Sequence, residues 1–270
     1  MARSTVAPLV SLLTDFGLTD PYVSEIKAVI LTICPNARIV DVTHLVEKFN
    51  IRMGAFLLAS AIPYFPAGTV HVGVVDPGVG SARRAIVIET ERCLLVGPDN
   101  GLLIPAAQAE RIRHVYQITN PSLTRAQVST TFHGRDVFAP VAAHLACGTP
   151  SKECGEEITD FVKPFYLEPK VDKKRAVGEV FHVDDFGNII TNLRNDDLSK
   201  LDLGTGQKLE TSIGKKHVRV RLINTYSELK TNEYGLLRGS HGFLEIACVS
   251  KSAAKRVGAR IGTSVQLSGA

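Results

Sequence analysis

The chain has no uninterrupted apolar run of about 18 or more residues, the length a helix needs to cross a bilayer, so no membrane span is expected. Its longest apolar stretch, AFLLASAIPYF at 55–65, is cut by Pro63. The opening residues, MARSTVAPLVSLLTDFG, hold one arginine but no apolar segment followed by a small-residue cleavage site. They read as a short tail entering a buried strand, not as a signal peptide. Long basic runs are missing too. The net charge is only +4, and KK pairs occur at 173–174 and 215–216 without a denser patch. That argues against nucleic acid as a partner. Cysteines are few and odd in number (Cys34, Cys93, Cys147, Cys154, Cys248), and Cys147 and Cys154 lack the spacing of a zinc knuckle. Reduced buried thiols in a cytoplasmic protein are the expectation. The histidines at 44, 71, 114, 133, 144, 182, 217 and 241 form no HxH, HxxxH or HxxEH pair, so a metal site has no support in their spacing. No internal repeat and no low-complexity tract occurs.

What remains is an ordinary globular composition, 44% hydrophobic and 21% charged over 270 residues, enough for two domains. Residues 9–165 alternate apolar strands with helical patterns. VSLLTDF, ARIVDVTH, TVHVGVVD and AIVIETE are short, β-branched and nearly continuous, as strands covered on both faces should be. Between the first two lies DPYVSEIKAVILTIC, whose Val23, Ile26, Val29, Ile30 and Ile33 share one helical face. Asp20 and Pro21 are placed there as N-cap and first helical residue. RAIVIETERCLLVGPDNG reads as a hairpin inserted in the sheet. The expected fold is therefore an α/β domain at 1–165 with a mixed, mostly parallel sheet and helices on both faces. The charged stretch YLEPKVDKKRAV, 166–177, reads as a linker. Beyond it, GEVFHVDDFGNIITNL, KLETSIGKKHVRVRLINTY, GFLEIACV and SVQLSG are short strands with Gly, Asn and Asp turns. They predict a small all-β, barrel-like domain at 178–270.

In open α/β sheets ligands bind beyond the carboxyl ends of strands, so the residues ending each apolar run carry the most information. Those ends are Thr14-Asp15-Phe16-Gly17, Asp41-Val42-Thr43-His44, Val75-Asp76-Pro77-Gly78 and Pro98-Asp99-Asn100-Gly101. Asp15, Asp76, Asn100 and His44 are candidates to converge on one crevice. Taken singly, each also fits a turn, since Asp-Pro-Gly and Asp-Asn-Gly are turn signatures. GVVDPGVGSARR lacks the GK[ST] ending and the GxGxxG spacing of phosphate loops. The stretch TFHGRDVFAP, 131–140, packs three ionisable side chains at the threshold of a helical pattern. It is either a satisfied helix start or one edge of a site. Asp76, Arg83 and His133 together are the types a metal-free hydrolysis needs. A carboxylate can stabilise an imidazolium, and an arginine can hold that carboxylate ionised.

Seven blocks in order across nearly the whole chain make the reading sharper. TDFGLTD (14–20), DVTH (41–44), DPGVGSARR (76–84), PDNGLL (98–103), FHGRDVFAP (132–140), DDFGNIITN (184–192) and SHGFLEIA (240–247) resemble the S-adenosyl-L-methionine (SAM) hydrolases. These, also called SAM hydroxide adenosyltransferases, are the water-using relatives of fluorinase and chlorinase. The resemblance implies an α/β domain followed by a small β-barrel, in trimers with active sites between neighbouring subunits. It implies attack of water on ribose C5′, giving adenosine and L-methionine, with SAM as substrate and no cofactor. Asp76, Arg83 and His133 match the family's catalytic triad. Gly134 stands where fluorinase has a halide-contacting serine, and Asp76 where it has a tyrosine, which points to water rather than halide.

For binding, the resemblance assigns Asp15 to the two ribose hydroxyls and Phe49 to a place beside the ribose. Asp20 and Asp184 would face the methionine ammonium and Ser240 its carboxylate. Phe186 and Tyr226 would flank adenine, with Asn188 reading its edge. Cys248 replaces an arginine of fluorinase, so that contact is not carried over. Two other readings stay open, a non-catalytic SAM or adenosine sensor and a SAM-dependent halogenase, with a metallohydrolase more distant.

Overall fold

A computed structural model describes residues 7–164, 168–201, 205–249 and 251–269. The chain divides into two compact units, Met1–Phe165 and Tyr166–Ala270.

The first unit is built on β1 (Leu9–Thr14), β2 (Arg38–Thr43), β3 (Val70–Val74), β4 (Ala85–Thr90), β5 (Leu94–Pro98) and β6 (Ile112–Gln117). Its helices are α1 (Tyr22–Ile33), α2 (Ile51–Ala61), α3 (Ile104–Ala109) and α4 (Ala139–Ala146). The strands lie in the order β2-β1-β3-β5-β4-β6. β1 runs parallel to β2 and β3, and β3 parallel to β5, whereas β4 is antiparallel to β5 and β6. The sheet is thus mixed, and β4–β5 is the inserted hairpin. Alternate residues go to opposite faces, as the pleat requires. Leu12, Val87 and Val96 pack with Ile26 and Ile30 of α1 and with α4. Leu13, Ile86, Ile88 and Leu95 pack on the other side with Leu58 of α2 and Ala107 of α3. Both faces are covered, which is why the strands read as nearly unbroken apolar runs.

The start of α1 differs from the expectation. Pro21 is already helical (φ −72°, ψ −4°) and is itself the N-cap, and no side chain caps the helix. Its carbonyl accepts the first helical bond, from Glu25 N at 2.9 Å. Asp20 is left exposed, outside the helix.

The second unit contains β7 (Lys170–Val171), β8 (Arg175–Val183), β9 (Ile189–Arg194), β10 (Lys208–Ile213), β11 (Lys216–Leu222), β12 (Tyr234–Arg238), β13 (Phe243–Cys248), α5 (Ala253–Val257) and β14 (Ser264–Gly269). The order β14-β10-β11-β12-β13-β9-β8-β7 is closed by a β14–β8 pairing, giving a seven-strand barrel with β7 outside the closure. Closure removes the free edges that an open sheet of this size would carry. Val180, Ile189, Leu209, Val220, Leu236, Ile246 and Leu267 fill the interior. The stretch expected as a linker carries β7 and the first residues of β8. Asp172 makes the turn between them, its Oδ1 accepting from Lys174 N at 2.8 Å and Arg175 N at 3.0 Å.

Candidate active site

In the first unit the chain order reverses between β1 and β3, since β2 lies on one side of β1 and β3 on the other. Such a switch point opens a crevice beyond the strand ends. Thr14 and Val74 are register partners, so Asp15 and the segment Val75–Asp76 leave the sheet side by side.

The loop after β3 is locked by its own side chains. Ser81 Oγ donates to Gly78 O at 2.6 Å and accepts from Arg83 N at 3.2 Å. Gly80 has φ +77°, and a Cβ there would collide with Thr130 O, so only glycine fits. This turn brings Arg83 back over Asp76. Arg83 Nε donates to Asp76 Oδ1 (2.9 Å) and Oδ2 (3.1 Å), and Nη2 donates to Oδ2 at 2.5 Å. The same Nη2 lies 2.8 Å from His133 Nδ1. The order is therefore Asp76, Arg83, His133, with the arginine in the middle. A guanidinium has no lone pair to offer. His133 Nδ1 must accept, which puts the ring hydrogen on Nε2 and keeps the imidazole neutral. Burial is the first cause holding His133 below the usual imidazole range, and the Arg83 charge adds to it; Asp76 and Asp136 pull the other way. The carboxylate-on-imidazole arrangement considered from sequence is thus corrected, because Arg83 occupies the position beside the ring.

The other two ionisable residues of TFHGRDVFAP serve the helix start. Residues 134–138 form one π-type turn before α4, and Asp136 is fully buried within it. Arg135 Nε and Nη2 hold its two carboxylate oxygens at 2.7 and 3.0 Å, and Ser129 N donates to Oδ2 at 2.9 Å. Arg135 also reaches Glu25 of α1 at 2.9 Å. Those bonds hold Asp136 below the usual carboxylate range against its burial. They fix the turn that presents His133. Gly134 is buried, and a Cβ there would meet Phe132, Ile26 and Phe16 at 3.2–3.3 Å.

Around the end of β1, Asp15 is buried and its Oδ2 accepts from Phe49 N at 2.8 Å. Phe49 has φ +65°, a strained value for a bulky residue, and its ring is exposed. Asn100 does not join the cluster: its amide donates to Val75 O at 2.9 Å and its Oδ1 accepts from Leu102 N at 3.1 Å. A cleft of about 340 Å³ lies against Arg83 and His133, lined further by Gln117, Asn120, Thr124 and Val128.

The remaining candidates lie in the second unit. Asp184 follows β8, and both its oxygens accept from Asn188, from the backbone N at 2.8 Å and the side-chain amide at 2.9 Å. Their turn is closed by Gly187, whose φ of +81° and contact with Ser252 admit no side chain. Phe186, at the tip, is 84% exposed, and Tyr226 is half exposed. Neither ring packs in the barrel core. Ser240 is exposed in the turn between β12 and β13. Sequence reasoning missed Glu245, inside the SHGFLEIA block. It is buried and accepts from Tyr226 OH at 2.5 Å. Burial, with Asp184 nearby, pushes its carboxyl above the ordinary range despite that bond. The only sequence signal was a single acidic residue on the polar phase of an apolar strand. Cys248 lies 3.9 Å from Arg256 of α5.

Among the described residues no three His, Cys, Asp or Glu side chains gather as a metal ion requires, and no helix is long and apolar enough to cross a membrane.

An α/β unit with a charged triad beyond its switch point, joined to a closed barrel bearing exposed rings and buried carboxyls, defines a two-domain class that known proteins share. Residues 10–155 match the model for the SAM hydroxide adenosyltransferase N-terminal domain, and residues 178–266 match that for the C-terminal domain. An (R)-S-adenosyl-L-methionine hydrolase from Methanocaldococcus jannaschii is 38% identical over 94% of this chain and 93% of its own. Another of that name, from Salinispora arenicola, is 47% identical over 67% of this chain and 70% of its own. The crystal structure of an uncharacterized conserved protein from Thermotoga maritima superposes with a TM-score of 0.91 at 37% identity, covering 96% of this chain and 99% of that one. The chain belongs to the SAM hydroxide adenosyltransferase family.

Proposed function

We propose that the chain hydrolyses S-adenosyl-L-methionine to adenosine and L-methionine, without a metal ion, by attack of water on ribose C5′. The observation that carries the reading is the Asp76–Arg83–His133 chain of contacts beyond the β1/β3 switch point. The water oxygen bonds to C5′ as the C5′–S bond breaks. The electron pair goes to sulfur, which leaves as the neutral thioether of methionine, and the surplus proton passes to solvent. A sulfonium is so good a leaving group that water need not be deprotonated first. Orientation is the larger requirement. A neutral His133 with its hydrogen on Nε2 meets that requirement, fixing the water while Arg83, anchored on Asp76, fixes the ring.

Asp15 takes the ribose hydroxyls, with Phe49 beside the ring. Asp20 and Asp184 face the ammonium group, Ser240 the carboxylate, Phe186 and Tyr226 flank adenine, and Asn188 reads its edge. The exposed aromatic faces suit a sulfonium-bearing ligand, since a cation is attracted to a ring face. The family resemblance supports a trimer, with each site completed by a neighbouring subunit. SAM as substrate supports a cytoplasmic location. Asp76 and Gly134 support water rather than halide as nucleophile, since a carboxylate repels an anion and the glycine offers no hydroxyl to hold one.

The test is incubation of chelator-treated protein with SAM, with and without chloride, followed by chromatography. Adenosine and methionine in equal amounts, with no chlorinated nucleoside, are expected. Tight nucleoside binding without turnover would favour a sensor instead. In a trimer with shared sites, inactive His133→Ala and Asp184→Ala chains should partly restore activity when refolded together.

A further inference from the structure

A line of polar contacts runs from the surface to the backbone beside Asp15, and the triad does not use it. Lys27 Nζ on α1 lies 2.6 Å from Asp41 Oδ2 at the end of β2. Asp41 Oδ1 lies 3.1 Å from His44 Nε2. His44 Nδ1 lies 2.9 Å from Thr14 Oγ1, and that hydroxyl oxygen accepts from Phe16 N at 3.2 Å. Thr14 and His44 are both buried. Asp41 is held below the usual carboxylate range, its burial outweighed by Lys27 and His44. The Asp41 carboxylate lies close to Nε2 but out of line for a hydrogen bond; its charge favours the ring hydrogen on that nitrogen, which leaves Nδ1 as the acceptor and Thr14 O–H as the donor.

The same segment holds Asp15 from its other side. Gly17 N donates to His44 O at 2.8 Å, Lys48 Nζ donates to Asp15 O, and Phe49 N donates to Asp15 Oδ2. Val46 N also donates to Thr14 O at 3.4 Å, so the peptide units on both sides of Asp15 are held by residues 14 and 46–48. A buried polar line adds little net stability, because its desolvation offsets its bonds. What it supplies is direction, and the residue it directs is the strand-end carboxylate at the switch point.

We infer that Thr14, His44 and Asp41 are positioning residues for Asp15, setting how tightly the ribose end of the substrate is held. The inference rests on the hydrolase reading for its substrate. They act through the Asp15 backbone and touch no reacting atom. Their loss therefore weakens binding without slowing the bound complex.

Three variants test this in the full chain, with KM and kcat for SAM, calorimetric Kd for adenosine, and circular dichroism as the folding check. Thr14→Val removes only the hydroxyl. His44→Leu removes both ring nitrogens. His44→Asn returns an acceptor close to the Nδ1 position. Thr14→Val and His44→Leu are expected to raise KM and the adenosine Kd about tenfold or more, with kcat within about threefold of the parent. His44→Asn is expected to recover most of that loss. The inference is overturned if Thr14→Val leaves both constants within about twofold, if kcat falls while KM stays, or if His44→Asn is no better than His44→Leu. A parent chain that releases no adenosine from SAM sinks the hydrolase reading instead. The ordering of adenosine affinities then still decides the role of the line.

Discussion

Replacing Arg83 by lysine separates the two jobs of that side chain. Arg83 spends Nε and Nη2 on Asp76 and the same Nη2 on His133 Nδ1, and both charged side chains are almost fully buried. A lysine ammonium can stay on the Asp76 carboxylate, which avoids leaving a buried charge alone, a loss of about 3–5 kcal/mol. It cannot also present a planar N–H to the imidazole. The variant should fold and lose one charge-assisted hydrogen bond, worth about 1.5–3 kcal/mol. Realised in the transition state, that is roughly a 10- to 150-fold lower kcat, with KM for SAM little changed. A lysine keeps the positive charge near His133 but not the N–H donated to its Nδ1, a bond that only the neutral ring can accept, so its loss lets the imidazole rise. If turnover needs neutral His133, the parent rate holds as pH falls past the ordinary imidazole range and drops only at the depressed value. In Arg83→Lys that acid limb moves to higher pH. Stopped assays of adenosine release between about pH 5 and 9 would show both effects. A variant with parental kcat and an unmoved acid limb would refute the placement of Arg83 as the holder of His133.

Gly80→Ala should destabilise the fold by more than about 1 kcal/mol, because it forces a side chain into a positive-φ site and onto Thr130 O; a urea midpoint within error of the parent would contradict this. His71 is buried and held neutral, at about 4 against 6.5 for the free group, by desolvation first and then by the Arg92 charge. Its contribution is intact above pH 6.5 and is lost as pH falls toward 4, up to about 3 kcal/mol. A His71→Gln chain should show a correspondingly shallower acid loss, and equal acid slopes would count against it. Tyr226→Phe takes the hydroxyl from buried Glu245, so KM for SAM should rise several-fold while kcat changes less; an unchanged KM would remove Tyr226 from the binding face.

The architecture was legible because burial on both sides of a strand leaves a continuous apolar run, and turn residues leave gaps between runs. The hairpin of β4 and β5 and the shift to a barrel followed from that texture. The expected N-cap at Asp20 failed because Pro21 already holds helical angles and supplies the cap carbonyl itself. The linker reading at 166–177 missed a short hairpin, because lysines on an exposed strand look like lysines in a loop. In the site, residue types were legible and their order was not. Only the folded loop after β3 places Arg83 between Asp76 and His133. Asp184 and Asn188 were named for ligand contacts and also hold each other. Glu245 was invisible because one acidic residue in a strand looks like its solvent face, and this one is buried under Tyr226.

The most direct test of the central claim is to run the reaction in water enriched in ¹⁸O and weigh both products. One ¹⁸O in the 5′-hydroxyl of adenosine and none in methionine, lost together with activity in His133→Ala, is the predicted result. Label in methionine, label elsewhere on the nucleoside, or full activity without His133 would contradict water attack at C5′ beside this triad.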